Sequence, residues 1–277
     1  MNWKPSIFLL SFFNIAVIAV VISICRLGGP SVDFLSVGQG DASLISTSKG
    51  LTVLIDGGPN TDILRSLEKA LGRDKRLDIV ILTHPHSDHY GGLIDVLKAY
   101  NVGVVLTSGE KSSDPAFLEF IDLMNIKGVR SIGLSSGDKV FIDEAKIDVL
   151  SPFSDTELLD PNSSSLVVII EENGAKFLFT GDIGQKEEKQ LVQSFDIKAD
   201  VLKVPHHGSN GSSSESFLSE VRPDISVVEV GKNGYGMPRS EVLDRLRSVG
   251  SIVYRTDVDG SIRITPSDKG LKVFGLR

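Results

Sequence analysis

Five histidines occur in the chain, and all five lie in two short loops. His84, His86 and His89 stand with Asp88 inside six residues, and His206 and His207 are adjacent. Histidines with unrelated structural duties would be scattered. Imidazole and carboxylate are the ligands that suit zinc, manganese and iron. Residues two apart in an extended segment point the same way, so His84 and His86 can share one ion. Asp88 and His89 fall where the chain turns into a helix, so they can face a neighbouring ion. Two more carboxylates share this placement. Asp182 follows Phe177-Leu178-Phe179-Thr180-Gly181 and is a candidate bridging ligand. Asp56, in Leu54-Ile55-Asp56-Gly57-Gly58, is a candidate to orient a ligand histidine from behind. An Asp at a strand end also serves as a turn former.

The elements that must position these residues are legible as strands. Asp78–Thr83 is a continuous run rich in β-branched residues, the mark of a strand buried on both faces. Val201–Val204 precedes the histidine pair. Further strands are expected at Val32–Val37, Ala42–Ser46, Leu51–Ile55, Val102–Leu106, Leu166–Ile170, Lys176–Thr180, Ile225–Val230 and Ile252–Arg255. Short strands are expected between residues 131 and 150, and Ser261–Ile264 and Leu271–Phe274 close the chain. Apolar residues at helical spacing predict helices over Ile63–Leu71, after Gly91-Gly92, and over Ala116–Asn125, Gln185–Phe195, Ser213–Val221 and Arg239–Val249. Many strands, some joined by helices and some by hairpins, predict an α+β domain of two mixed sheets flanked by helices. Loops at the carboxyl ends of strands are where such sheets place their sites.

The bulk numbers set limits. The 277 residues are 41% hydrophobic and 23% charged, a globular composition. The net charge of -7 argues against broad, charge-driven binding of nucleic acid, while a bound metal could still supply a local cationic site. Lys69, Arg73, Lys75 and Arg76 form the one dense basic run, read as a solvated helix end. The single cysteine, Cys25, excludes an intrachain disulfide. Between Lys4 and Arg26 no charge occurs, and residues 7–25 are apolar apart from Ser11, Asn14 and Ser23. That run predicts a membrane-spanning anchor over residues 1–27, ahead of a globular domain over 31–277 that faces away from the cytoplasm.

The H-x-H-x-D-H pattern (His84–His89), the later Thr180-Gly181-Asp182 and a still later histidine resemble the metallo-β-lactamase superfamily. Val37-Gly38-Gln39-Gly40-Asp41-Ala42, Leu54–Gly58, Asn162–Ser165, Lys203–Ser209 and Asn233-Gly234-Tyr235-Gly236 look like the hydrolase domain of the ComEC family of DNA-uptake proteins. The resemblance covers residues 32 to about 265. It implies a four-layer αββα sandwich with two divalent metal ions, zinc or manganese, at its edge. His84 and His86 would hold one ion, Asp88 and His89 the other, and Asp182 would bridge. His207 is favoured as the further ligand, leaving His206 to touch substrate or donate a proton, with the reverse order the alternative. Asp88 and His206 are the candidate catalytic residues. Asp41, Asp56, Ser165 and Asn233 are candidates to support the ligands or touch substrate.

Three departures from the family pattern stand out. Asn162-Ser163-Ser164-Ser165 replaces a region where many superfamily hydrolases carry another histidine. Ser36 stands where Asp is usual, and Met237 where relatives commonly have His. The expected function is hydrolysis of a phosphodiester, with DNA the substrate the resemblance implies. The competing expectation is a degenerate, metal-stabilised binding module without significant catalysis.

Overall fold

The computed structural model describes residues 29–142, 144–153, 160–268 and 270–276. The first half of the chain lays down β1 (Ser31–Phe34), β2 (Ser43–Ser46), β3 (Thr52–Ile55), α1 (Asp62–Leu71), β4 (Arg76–Leu82), α2 (Ser87–Ala99), β5 (Asn101–Thr107), α3 (Pro115–Lys127) and β6 (Arg130–Gly133). The second half adds β7 (Lys139–Ile142), β8 (Ala145–Ser151), β9 (Val167–Glu172), β10 (Ala175–Phe179), α4 (Gln185–Ser194), β11 (Val201–Lys203), α5 (Glu215–Val221) and β12 (Ile225–Val228). It continues through α6 (Ser240–Ser248), β13 (Ile252–Arg255) and the short α7 (Thr256–Asp259). Finally β14 (Ser261–Ser267) and β15 (Gly270–Leu276) return to the first sheet, where β14 pairs antiparallel with β1. The strand orders are β15-β14-β1-β2-β3-β4-β5-β6 and β13-β12-β11-β10-β9-β8-β7.

Period-two alternation sorts the side chains into layers. Val53 and Ile55 of β3, Ile81 of β4, Phe177 and Phe179 of β10 and Val227 of β12 meet between the sheets in one buried cluster. Leu54, Val80 and Leu82 point the other way, onto Ile63 and Leu67 of α1, Leu93 and Leu97 of α2, and Phe117 and Phe120 of α3. Leu178, Leu202 and Val228 face Leu191 of α4, Phe217 and Leu218 of α5, and Val242 and Leu246 of α6. Three apolar layers between four layers of backbone make an αββα sandwich. Each fully buried Leu, Ile, Val or Phe stabilises it by about 1.5–3 kcal/mol. Phe34 and Phe179 stack across the sheet interface with centroids 5.9 Å apart.

The expectation of a single-pass membrane protein is corrected. Among the described residues no helix is long and apolar enough to cross a membrane. The run at residues 7–25, on which that expectation rested, lies outside the described residues.

Parallel pairing explains where the site forms. β3 and β4 are parallel neighbours in one sheet, and β10, β11 and β12 in the other. Their carboxyl ends carry Asp56, Thr83-His84, Gly181-Asp182, His206-His207 and Glu229, and the sheets meet at this rim where His89 lies 3.5 Å from Asp182 and Ala42 N–H donates to Glu229.

Candidate metal centre

The first histidine loop leaves β4 and enters α2 within a few residues, so Asp88 and His89 occupy the first helical turn. A carboxylate is favoured there by the free N–H groups and dipole of the helix. Close backbone packing fixes the turn. Asp41 N–H donates to Asp88 O at 3.2 Å and Gly57 N–H to His89 O at 2.7 Å. A Cβ on Gly92 would lie 2.1 Å from Gly57 O, so only glycine lets α2 approach this far.

Behind His89 stands Asp56, in the left-handed region at φ 57. Its carboxylate accepts from Thr83 N–H at 2.8 Å, from the Thr83 hydroxyl at 2.7 Å and from His89 Nδ1 at 2.8 Å. With Nδ1 so engaged, His89 presents Nε2 to the site. The second loop gives its histidines unlike positions. His206 and His207 both take positive φ, 50 and 51, which turns His207 inward and leaves His206 half-buried at the cleft. His207 Nδ1 lies 2.8 Å from Glu229 O and 3.2 Å from Asp41 Oδ1. Its Nε2 lies 3.3 Å from Asp88 Oδ2 and 3.5 Å from Asp182 Oδ2. Glu188 of α4 accepts the backbone N–H groups of Ser213 and Ser214, pinning the end of this loop.

Asp182 lies 3.5 Å from His89 Nε2 and 3.9 Å from His206 Nε2. Donor atoms of Asp88, His89, Asp182 and His207 all lie within 4.8 Å of one another. His84 and His86 pack edge to face with ring centroids 4.7 Å apart, and His84 is 4.1 Å from the His89 ring.

Buried polar atoms left without partners test whether a metal fits. His84 Nε2, His89 Nε2 and Asp182 Oδ1 are buried and make no hydrogen bond. An unmet buried polar group costs about 1–3 kcal/mol. A divalent cation would satisfy such atoms, and the N and O donor set suits zinc or manganese. Titration properties agree. Burial, followed by the charge of His89, holds His84 well below the ordinary histidine range, in the neutral form that can ligate. Burial alone would raise the Asp182 carboxyl, but His207 and His89 hold it well below its ordinary value. Burial opposes charge on His207, yet Asp182 and Asp41 raise it to about 10, so protons compete with a metal there.

The remaining candidates fall into place. Asp41 is buried, paired with Lys203 and His207. Ser165 Oγ accepts from Asp182 N–H at 3.2 Å, so the residue in the altered region braces a candidate ligand. Asn233 shapes the loop over the site: its amide donates to Gly231 O and Met237 O at 2.9 and 2.8 Å and accepts from Tyr235 N and Met237 N. Ser36 bonds to Ser261 and Thr256 instead. Met237 lines the cleft, about 540 Å³, together with Gln39, His86, Asp88, Lys111, Asn162, His206 and Tyr235.

Three residues were given no role at the site from the sequence. Thr83 ties Asp56 to the histidine loop. Lys203, 2% exposed, pairs with Asp41 and donates to Gly181 O at 3.1 Å. Glu229 is 1% exposed, accepts from Ala42 N and Ser43 Oγ, and is pushed by burial to about 8. A charge inside an otherwise apolar strand, as in Val201-Leu202-Lys203-Val204, was the available signal.

The profile of the metallo-beta-lactamase superfamily matches residues 35–231. The chain is 32% identical over 262 residues to ComE operon protein 3 of Bacillus subtilis, covering 86% of this chain and 33% of the relative. It is 33% identical over 247 residues to Competence protein ComA of Neisseria gonorrhoeae, covering 87% of this chain and 33% of the relative. The chain thus spans about a third of the length of these curated relatives. Among solved structures it resembles the metallo-beta-lactamase fold protein YhfI from Bacillus subtilis, with TM-score 0.59 and 14% identity over 84% of this chain and 99% of that one. At that identity the likeness is one of fold.

Proposed function

Because the chain belongs to the metallo-β-lactamase superfamily, we propose that its metal-dependent hydrolase fold cleaves phosphodiesters. The observation that carries this reading is the convergence of Asp88, His89, Asp182 and His207, of which Asp88, Asp182 and His207 line one cleft. These residues would hold a divalent ion, and His84 and His86 offer a neighbouring pair of ligands. When bound, such an ion lowers the pKa of water towards neutrality and neutralises charge on a phosphoryl oxygen.

The chain's own groups supply the rest. Asp56 and Asp41 orient His89 and His207. Ser165 fixes the backbone of Asp182. His206 faces the cleft 3.9 Å from Asp182 Oδ2 and is placed to give a proton to a leaving oxygen. Lys111 lines the same cleft and complements a phosphate. DNA is the substrate favoured, since the relatives are competence proteins. The test is cleavage of bis-p-nitrophenyl phosphate and single-stranded DNA by the purified chain. Manganese or zinc should support turnover of both and a chelator should abolish it. Turnover of the small ester alone would redirect the search to other phosphodiesters.

A further inference from the structure

Asp182 divides its two oxygens between unlike neighbours. Oδ2 faces His89 Nε2 and His207 Nε2, each at 3.5 Å. Oδ1 faces Lys203 Nζ at 3.8 Å. Lys203 is buried, and its ammonium is also held by Asp41 and by Gly181 O. A fixed positive charge therefore already stands beside two of the carboxylates at the site, although Asp182 Oδ1 accepts no hydrogen bond from it. The donors themselves are unevenly assembled. Asp88, His89, Asp182 and His207 form a closed group of four, whereas His84 and His86 join no group of three or more carboxylate, thiolate or imidazole donors among the described residues. Ser165, in the region that departs from the family pattern, is occupied by Asp182 N–H.

We infer that Lys203 is a resident cation of the site, which turns Asp182 towards the four-donor group and limits tight binding to one divalent ion per chain. The inference rests on the metal-hydrolase reading above and specifies how that site is loaded. Two arguments support it. A second dication sharing Asp182 would add to the positive charge that Lys203 already places beside that buried carboxylate, where like charges repel strongly. Asp182 Oδ1, the oxygen not turned to the histidines of the four-donor group, is the one that lies beside Lys203. The His84/His86 pair then takes an ion only weakly, or when an anionic substrate adds negative charge.

The experiment titrates the metal-stripped full chain with manganese, counting free ions by electron paramagnetic resonance and bound ions by calorimetry. Wild type should bind one ion, with any second at least about 100-fold weaker. His86→Ala should keep the first ion and lose the second, whereas Asp88→Ala should lose the first. Lys203→Met should raise the affinity for the second ion about 10-fold or more. Lys203→Arg keeps the charge and should keep the wild-type pattern. Lys203→Gln reports the same effect should the methionine variant not fold. Two ions of equal affinity in wild type would overturn the inference, as would a folded neutral variant with unchanged second-ion affinity. A wild-type chain that binds no ion would overturn the metal-hydrolase reading itself.

Discussion

His89 Nδ1 lies 2.8 Å from Asp56 Oδ2, and the same carboxylate takes both the N–H and the hydroxyl of Thr83. One side chain thus sets the ring orientation of a candidate ligand and ties β3 to the histidine loop. Asp56→Ala should lower metal affinity by about 10–100-fold, because removing such a partner frees the ring and its tautomer. Thr83 N–H loses its acceptor, while the Thr83 hydroxyl keeps contacts to His84 Nδ1 and His89 Nδ1, so stability should also fall, by about 1–3 kcal/mol. Asp56→Asn keeps a residue tolerant of positive φ and should lose affinity with a smaller stability change. Calorimetric metal titration and urea unfolding separate the two effects.

Ser165 braces the backbone of Asp182 through one hydrogen bond of 3.2 Å. Ser165→Ala should cost about 1 kcal/mol in urea unfolding. It should leave metal stoichiometry unchanged, since a hydroxyl is a poor ligand at neutral pH. Loss of a bound ion in this variant would make Ser165 a ligand in its own right.

Much of this site could be read from the sequence, and the limits have physical causes. Histidines directly after apolar strands carry their own evidence, because ligand type and spacing are local properties. The near-continuous apolar runs of Leu51–Ile55 and Lys176–Thr180 likewise mark strands buried on both faces. A lone charge in an apolar run marks Lys203 and Glu229 locally, but the groups that hold them, Asp41 for Lys203 and Ser43 for Glu229, are a tertiary fact. Ser165 was legible as a departure, but only the fold shows it turned to Asp182 N–H. The strand expected over Val32–Val37 stops at Phe34 because the chain turns outward, putting Leu35 and Val37 under α1 and α2. β14 runs on to Ser267 and β15 to Leu276, beyond the expected ends, since each completes its ladder against the other.

The two sheets are held by residues such as Phe179, 2% exposed and stacked on Phe34. Phe179→Ala should destabilise the domain by about 3–5 kcal/mol in chemical unfolding. It sits three residues before Asp182, so metal affinity should drop with it. A loss below about 1 kcal/mol would mean that the layers do not pack as described.

Metal removal should itself be visible in stability. An ion present at 100 times its dissociation constant stabilises the folded state by about 2.7 kcal/mol. Adding chelator should therefore lower the melting temperature of wild type and leave that of Asp182→Ala unmoved. Equal shifts in the two proteins would place the ion elsewhere.

The most direct test of the central claim compares wild type with Asp182→Ala in steady-state cleavage of bis-p-nitrophenyl phosphate, with manganese or zinc added and bound metal measured in each sample. Asp182 faces His89, His206 and His207 together, so its loss should reduce turnover more than His84→Ala does, by about 100-fold or more. Equal background rates for the two proteins, with metal shown to be bound in wild type, would contradict catalysis and leave a metal-stabilised binding module.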